Sequence, residues 1–278
     1  KDRPRVDAIK DNGITVLSPS GDAILHSHPE GVFLPDLTSA DFYIFCVKSY
    51  STLEAAETVS GFAGKDSIAV TFQNGSGNAD AISRFFGRDR TASGTTTEGA
   101  FILEPSRIVH GGKGVTKIGM TGCTGHKEML MPLITALNSA GLKAAYTDNP
   151  DELIWNKLAV NAAINPLTAI TGCSNGFTAE NPNLKNIIRM TVKEVCTAAA
   201  LRNIRLEEEY VYRSVLSVAE NTSANKSSML QDIISGRKTE IEDINGYIEK
   251  ILEKELSCGI SVNRILLLFI KALESKNN

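Results

Sequence analysis

The chain has 278 residues, of which 42% are hydrophobic, 22% charged and 6% aromatic. That is an ordinary globular composition, which leaves out disordered, collagen-like and membrane-spanning classes. Lys plus Arg number 29 and Asp plus Glu 32, a net charge of −3, and no segment concentrates basic residues, so neither nucleic acid nor an anionic membrane is an expected partner.

Five cysteines, Cys46, Cys123, Cys173, Cys196 and Cys258, are odd in number and include no C-x-x-C pair. They are expected to be reduced, small core residues of a cytoplasmic protein rather than parts of a disulfide framework or zinc site. The longest apolar runs, such as 42–47 and 265–270, fall far short of the roughly 20 residues of a transmembrane helix.

In chain order, Val6 and Ile9 before Asn12-Gly13 read as a short helix, and Ile14 to Leu17 with Ala23 to His26 as a β-hairpin around Ser18-Pro19-Ser20-Gly21-Asp22. Strand-like Phe42 to Val47, Ile68 to Phe72 and Thr91 to Thr96 then alternate with helix-like Leu53 to Val59 and Ala79 to Phe86, which predicts a parallel sheet covered on both faces. Phe101 to Met120 gives two extended segments, with His110-Gly111-Gly112-Lys113-Gly114 as the turn between them. The spacing there is wrong for a P-loop. A helix over Lys127 to Ser139 and a strand over Lys143 to Thr147 follow. After Asn149-Pro150 nearly everything has helical periodicity: Leu153 to Ile170, Leu184 to Arg202, Glu207 to Glu220, Ser227 to Ser235, Glu240 to Leu256 and Asn263 to Leu273. The expected organisation is an α/β domain over 1–148 and an all-helical domain over 149–278.

Ligands of open parallel sheets bind beyond the carboxyl ends of the strands. Three such ends carry polar or small residues here: Lys48, Gln73-Asn74-Gly75 and Gly94-Thr95-Thr96-Thr97. Singly each is ordinary turn chemistry; together they suggest one crevice. On the helix after Pro150, Lys157, Asn161 and Asn165 recur at i, i+4 and i+8 and form one stripe among apolar neighbours. Asparagine is a poor helix former, and buried polar groups need partners, which a ligand can supply. Pro166 is expected to kink or end this helix and open its backbone there. Ser228-x-x-Gln231 and Thr239-x-x-Glu242 fit capping boxes, with Glu240 in the first turn of its helix. His26-x-His28 has no third ligand nearby, so no metal site is expected.

In this order Lys48, Gln73-Asn74-Gly75, the Thr95 strand end, Trp155-x-Lys157-Leu158-x-x-Asn161-x-x-x-Asn165-Pro166-Leu167-Thr168, Cys173-x-Asn175-Gly176, Ser227-Ser228-Met229-x-Gln231-Asp232 and Thr239-Glu240-Ile241-x-x-Ile244-Asn245-Gly246 resemble the ketopantoate reductase family. The resemblance implies an α/β Rossmann-type domain joined to an all-helical domain like that of 6-phosphogluconate dehydrogenase. It also implies NADPH-dependent reduction of 2-dehydropantoate to pantoate in pantothenate and coenzyme A biosynthesis, with a homodimer as the assembly it allows. By the same resemblance Lys157 matches the proton donor, and Asn161, Asn165, Asn175 and Ser228 match substrate-binding residues. Asn74 matches a residue where nicotinamide and substrate meet, Lys48, Ala100 and Glu240 match cofactor-cleft residues, and Lys1 and Arg3 match basic residues for the 2′-phosphate. The family's opening strand, G-x-G-x-x-G and helix have no counterpart in residues 1–278, and about thirty residues are expected to precede this chain in the natural protein. A reductase of another small 2-keto acid and a non-catalytic binding protein on the same scaffold are the competing readings; an intact Lys157 and Glu240 argue against the second.

Overall fold

The computed structural model describes residues 3–29, 39–122, 126–256 and 259–276, without the side chains of Arg3 and Arg5. Its first half builds two sheets. Helix α1 (Arg3–Asn12) leads into β1 (Ile14–Leu17) and β2 (Ala23–Ser27), the expected hairpin, followed by β3 (Phe42–Phe45), α2 (Thr52–Ser60), β4 (Ile68–Thr71), α3 (Asn78–Phe86) and β5 (Thr91–Thr96). Strands β3, β4 and β5 are parallel and in register, Ile44 beside Val70 beside Ala92. Alternation sorts their side chains: Ile68, Val70 and Ala92 face one way and Phe45 and Ala69 the other, each set buried in its own apolar layer.

Two expectations for 101–120 need correction. The segment holds three strands, β6 (Gly99–Glu104), β7 (Arg107–Gly112) and β8 (Val115–Met120). His110, Gly111 and Gly112 lie within β7, and the hairpin is β6–β7, closing at Pro105-Ser106. Glycine at 111 and 112 reads locally as a turn but stands in the strand; the close approach comes at Gly114, where the chain passes to the other sheet and a Cβ would collide with the Glu98 nitrogen. Strand β7 also takes β1 as a parallel neighbour, giving a four-stranded sheet β2-β1-β7-β6. The larger sheet, β3-β4-β5-β8-β9, is therefore mixed rather than parallel: β8 returns antiparallel to β5, and β9 (Lys143–Tyr146) runs parallel to β8. An antiparallel neighbour needs no crossover helix, so the short β6–β7 excursion suffices as a connection. Helix α4 (Lys127–Ser139) covers one face with Leu130, Leu133 and Ile134, while α2 and α3 cover the other with Ala56, Ile82 and Phe86.

The second half is helical: α5 (Pro150–Thr171), α6 (Asn175–Glu180), α7 (Pro182–Ala200), α8 (Glu208–Asn221), α9 (Ser228–Ile234), α10 (Ile241–Leu256) and α11 (Val262–Ser275). Prolines at the first positions of α5 and α7 suit the helix start, where no N–H is missed. Gly172, at φ +72°, ends α5. Helix α5 is the axis of this half. Leu158, Ala159, Ala162, Ala163, Ile164 and Leu167 are all buried, with α7, α8, α9 and α11 packed around them. Among the described residues no helix is long and apolar enough to cross a membrane. Of the described cysteines, Cys46 is exposed and Cys173 and Cys196 are half-buried, Cys196 packing against the helical core; Cys123 and Cys258 lie outside the described residues.

Candidate active site

The carboxyl ends of β3, β4 and β5 meet the helical half where α5, α9 and α10 present their polar residues. Ser49, just after β3, donates its hydroxyl to the Asn74 carbonyl at 2.8 Å, and Asn78 Nδ2 donates to the same carbonyl at 2.9 Å. Gln73 Nε2 donates to the Val47 carbonyl and to Thr52 Oγ1. These bonds set the loop after β4 against the loop after β3, so the strand-end residues form one surface.

Glu240 closes it from the helical side. Its residue is 7% exposed. The carboxylate accepts from the Ser49 backbone N–H at 3.4 Å and from Asn74 Nδ2 at 3.3 Å, and lies 3.8 Å from Lys48 Nζ. Lys48 makes its shorter ion pair, 3.0 Å, with buried Asp232, which also accepts from Arg237 Nε at 2.9 Å. Gly75, at φ +82°, makes the approach of the two halves possible: a Cβ there would stand 2.6 Å from the Asp243 carbonyl oxygen on α10.

Lys157 faces the same junction from α5. Its ammonium lies 3.5 Å from the Thr96 carbonyl oxygen at the end of β5. Burial pushes its pKa below the ordinary lysine value, and the Glu240 carboxylate opposes part of that shift. Asn161, one turn on, is half-buried. Asn165 is buried, a further turn along the same stripe. The stripe continues to Thr168, whose hydroxyl is 2.6 Å from that of Ser227.

Several expectations are corrected here. The N-cap of α9 is Ser227, which accepts from the Leu230 N–H, not Ser228; Ser228 is exposed. Neither capping box closes: Gln231 turns to the Lys226 carbonyl, and the Thr239 N–H is taken by Glu274 while Glu242 pairs with Lys271. Partners distant in sequence outcompete the local ones. Pro166 does not end its helix, since α5 continues to Thr171. Asn175 is buried at the start of α6, donating to Thr222 Oγ1 at 2.9 Å with its own Oδ1 unpartnered. Ala100 stands exposed on β6 opposite His110, apart from the hydrogen bonds of the cluster. Lys1 and the Arg3 side chain lie outside the described residues. Ser49, Asn78, Thr168, Ser227 and Asp232 are site residues that the sequence did not single out individually; only Thr168, Ser227 and Asp232 stood inside a motif. A cavity of about 320 Å³ lies beside the Gln73–Asn78 loop, lined by Arg88, Asp151, Arg202 and Tyr247 together with Gln73, Gly75 and Gly94 of the predicted strand ends.

A mixed α/β sheet whose strand ends converge on a half-buried lysine of a helical half is the layout of a two-domain oxidoreductase of the Rossmann type. The profile of "Ketopantoate reductase PanE/ApbA" matches residues 1–122 and that of "Ketopantoate reductase PanE/ApbA C terminal" residues 149–274. The chain belongs to the ketopantoate reductase family. It is 36% identical over 240 residues to the 2-dehydropantoate 2-reductase of Archaeoglobus fulgidus, covering 85% of this chain and 77% of the relative. With that of Pyrococcus abyssi it is 33% identical over 272 residues, 98% and 88% of the two chains. Among solved structures, the PanE/ApbA family ketopantoate reductase of Ralstonia eutropha JMP134 superposes with a TM-score of 0.85 at 25% identity, over 99% of this chain and 89% of that one.

Proposed function

We propose that this chain reduces 2-dehydropantoate to pantoate with NADPH, and that Lys157 is its proton donor. The observation that carries the reading is the half-buried Lys157 at the junction of the two halves, its ammonium within reach of a strand end and facing the Asn74–Glu240 cluster.

The residues present fit the reacting end of a nicotinamide cofactor: amide and hydroxyl donors at the carboxyl ends of parallel strands, beside a carboxylate. When bound, NADPH supplies the hydride. Lys157 does the rest of the charge work. A ketone that gains hydride builds negative charge on oxygen; the ammonium stabilises that charge and passes its proton to the oxygen. A lysine held below its ordinary pKa gives up that proton more readily than an exposed one. Asn161 and Asn165 offer amides along the same stripe to the substrate's hydroxyl and carboxylate, and the burial of Asn165 suits a polar ligand there. Ser228 and Asn175 are assigned to the substrate's far side, and Lys48, Ala100, Glu240, Lys1 and Arg3 to the cofactor. In this reading residues 1–148 carry cofactor binding and 149–278 substrate binding and proton transfer, in a cytoplasmic homodimer.

The test follows the absorbance of reduced nicotinamide with ketopantoate in the full-length protein. Lys157→Ala is expected to lower kcat by roughly 10² to 10⁴, the scale of a lost general acid, with little change in NADPH affinity. Near-wild-type turnover removes Lys157 from the role. A wild-type protein that prefers another 2-keto acid over ketopantoate rejects the substrate assignment instead.

A further inference from the structure

Pro166 stands inside α5, one position after Asn165. A proline at that position has no N–H to donate to the carbonyl four residues earlier, so the Ala162 oxygen loses its helical hydrogen bond. Ala162 is fully buried, and water is not at hand to replace the donor. The replacement comes from α10. Asn245, itself fully buried, donates Nδ2 to the Ala162 oxygen at 3.0 Å and to Asn263 Oδ1 at 2.9 Å. Both N–H groups of the amide therefore meet acceptors, which fixes its orientation; Asn245 Oδ1 is left without a partner.

Asn263 is held just as firmly. It is fully buried, its Nδ2 donates to Glu194 Oε2 at 2.6 Å, and its own N–H and that of Val262 donate to the same carboxylate. A chain of hydrogen bonds, charge-assisted where Glu194 accepts, thus runs from α7 through the start of α11 and α10 into the gap that Pro166 leaves in the α5 ladder. That gap lies between Asn161 and Asn165, on the helix that also carries Lys157.

We infer that Asn245 is a positioning residue: its side-chain amide takes the place of the N–H that Pro166 lacks and so holds the register of the Lys157, Asn161 and Asn165 stripe. The inference rests on the proposed roles of those three residues for its kinetic consequence, but not for its structural one. A buried amide that leaves its own oxygen unpaired costs stability; a helix that must present three side chains in fixed array gains from it, because a small displacement of catalytic groups costs rate steeply.

The experiment is a double-mutant cycle between Asn245→Ala and Pro166→Ala. The Asn245→Ala protein is expected to lose about 10- to 100-fold in kcat/KM for ketopantoate, with KM raised as well as kcat lowered, at temperatures where it is fully folded. Amide hydrogen exchange across 161–168 is expected to quicken in the same protein. Pro166→Ala restores the backbone donor to Ala162. The double variant is expected to return to within about threefold of Pro166→Ala alone in kcat/KM, with exchange protection restored. A merely space-filling Asn245 gives losses that multiply in the double variant, which overturns the inference, as does an Asn245→Ala protein with wild-type kinetics. Should Asn245→Ala not fold, the double variant decides alone: a folded, active protein supports the inference, and a second unfolded one overturns it. If exchange responds as expected while Lys157→Ala keeps full turnover, Asn245 still mends the helix and the proposed catalytic reading is the part that fails.

Discussion

Lys157 bears a cost that its position explains. Its ammonium is desolvated, and the nearest opposing charge, Glu240, offsets only part of the shift. Because its folded pKa lies below its unfolded one, the unfolded chain binds more protons in the window between them, and stability rises with pH across that window. Lys157→Met is therefore expected to be more stable than wild type near neutral pH in denaturant titrations, with the gap closing as pH rises through the window, while activity is lost. The alkaline limb of kcat is expected below the ordinary lysine range of about 10.4. Glu240→Gln removes the charge that favours the ammonium, so that limb should move to still lower pH; an unmoved limb would detach it from Lys157. Asn161→Ala and Ser228→Ala are expected to weaken substrate by about 1–3 kcal/mol each, read as a rise in KM. Ser228 is exposed and caps nothing, so its replacement should leave folding stability within about 0.5 kcal/mol of wild type.

At the scale of elements, Ser227 and Gly75 carry the joints. Ser227 caps α9 and meets Thr168 on α5, so Ser227→Ala loses a cap and one of the two partners of the buried Thr168 hydroxyl, which keeps the Asn165 carbonyl. The expected cost is about 1–3 kcal/mol by urea unfolding, in contrast to its neighbour Ser228. Gly75 carries the loop after β4 past α10 in a left-handed backbone with no room for a Cβ. Gly75→Ala must push Asn74 away from Glu240, and kcat/KM is expected to fall about tenfold or more while the two cores stay folded. Unchanged kinetics in that variant would show that the contact between the Asn74 loop and α10 is dispensable.

For the whole molecule, the two halves have separate apolar cores, and polar contacts supply the pairing at the site. Asp232 is the hub, buried while its partners Lys48 and Arg237 reach toward solvent. Exposed cations screen readily, so the clamp is modest and salt-dependent. Asp232→Asn is expected to make kcat/KM less sensitive to ionic strength than in wild type and to widen the molecule in small-angle scattering; an unaltered scattering curve and salt response would place the clamp elsewhere.

What the sequence determined by itself is what short-range periodicity encodes: the alternation of strands and helices, the helical second half, the crevice at three polar strand ends, and the Lys157 stripe. Each depends on spacings of two to eight residues, which backbone geometry fixes before any tertiary contact forms. Only the tertiary structure decided who satisfies whom. Lys48 finds Asp232 across 184 residues, Glu274 rather than Glu242 takes the Thr239 N–H, and Asn245 fills the gap left by Pro166 from 83 residues away. The sheet assignment of 99–120 was settled the same way, because the two glycines of β7 carry no local sign of which sheet claims them. A buried polar group takes whichever partner the packing brings within about 3 Å, and proximity of that kind has no period along the chain.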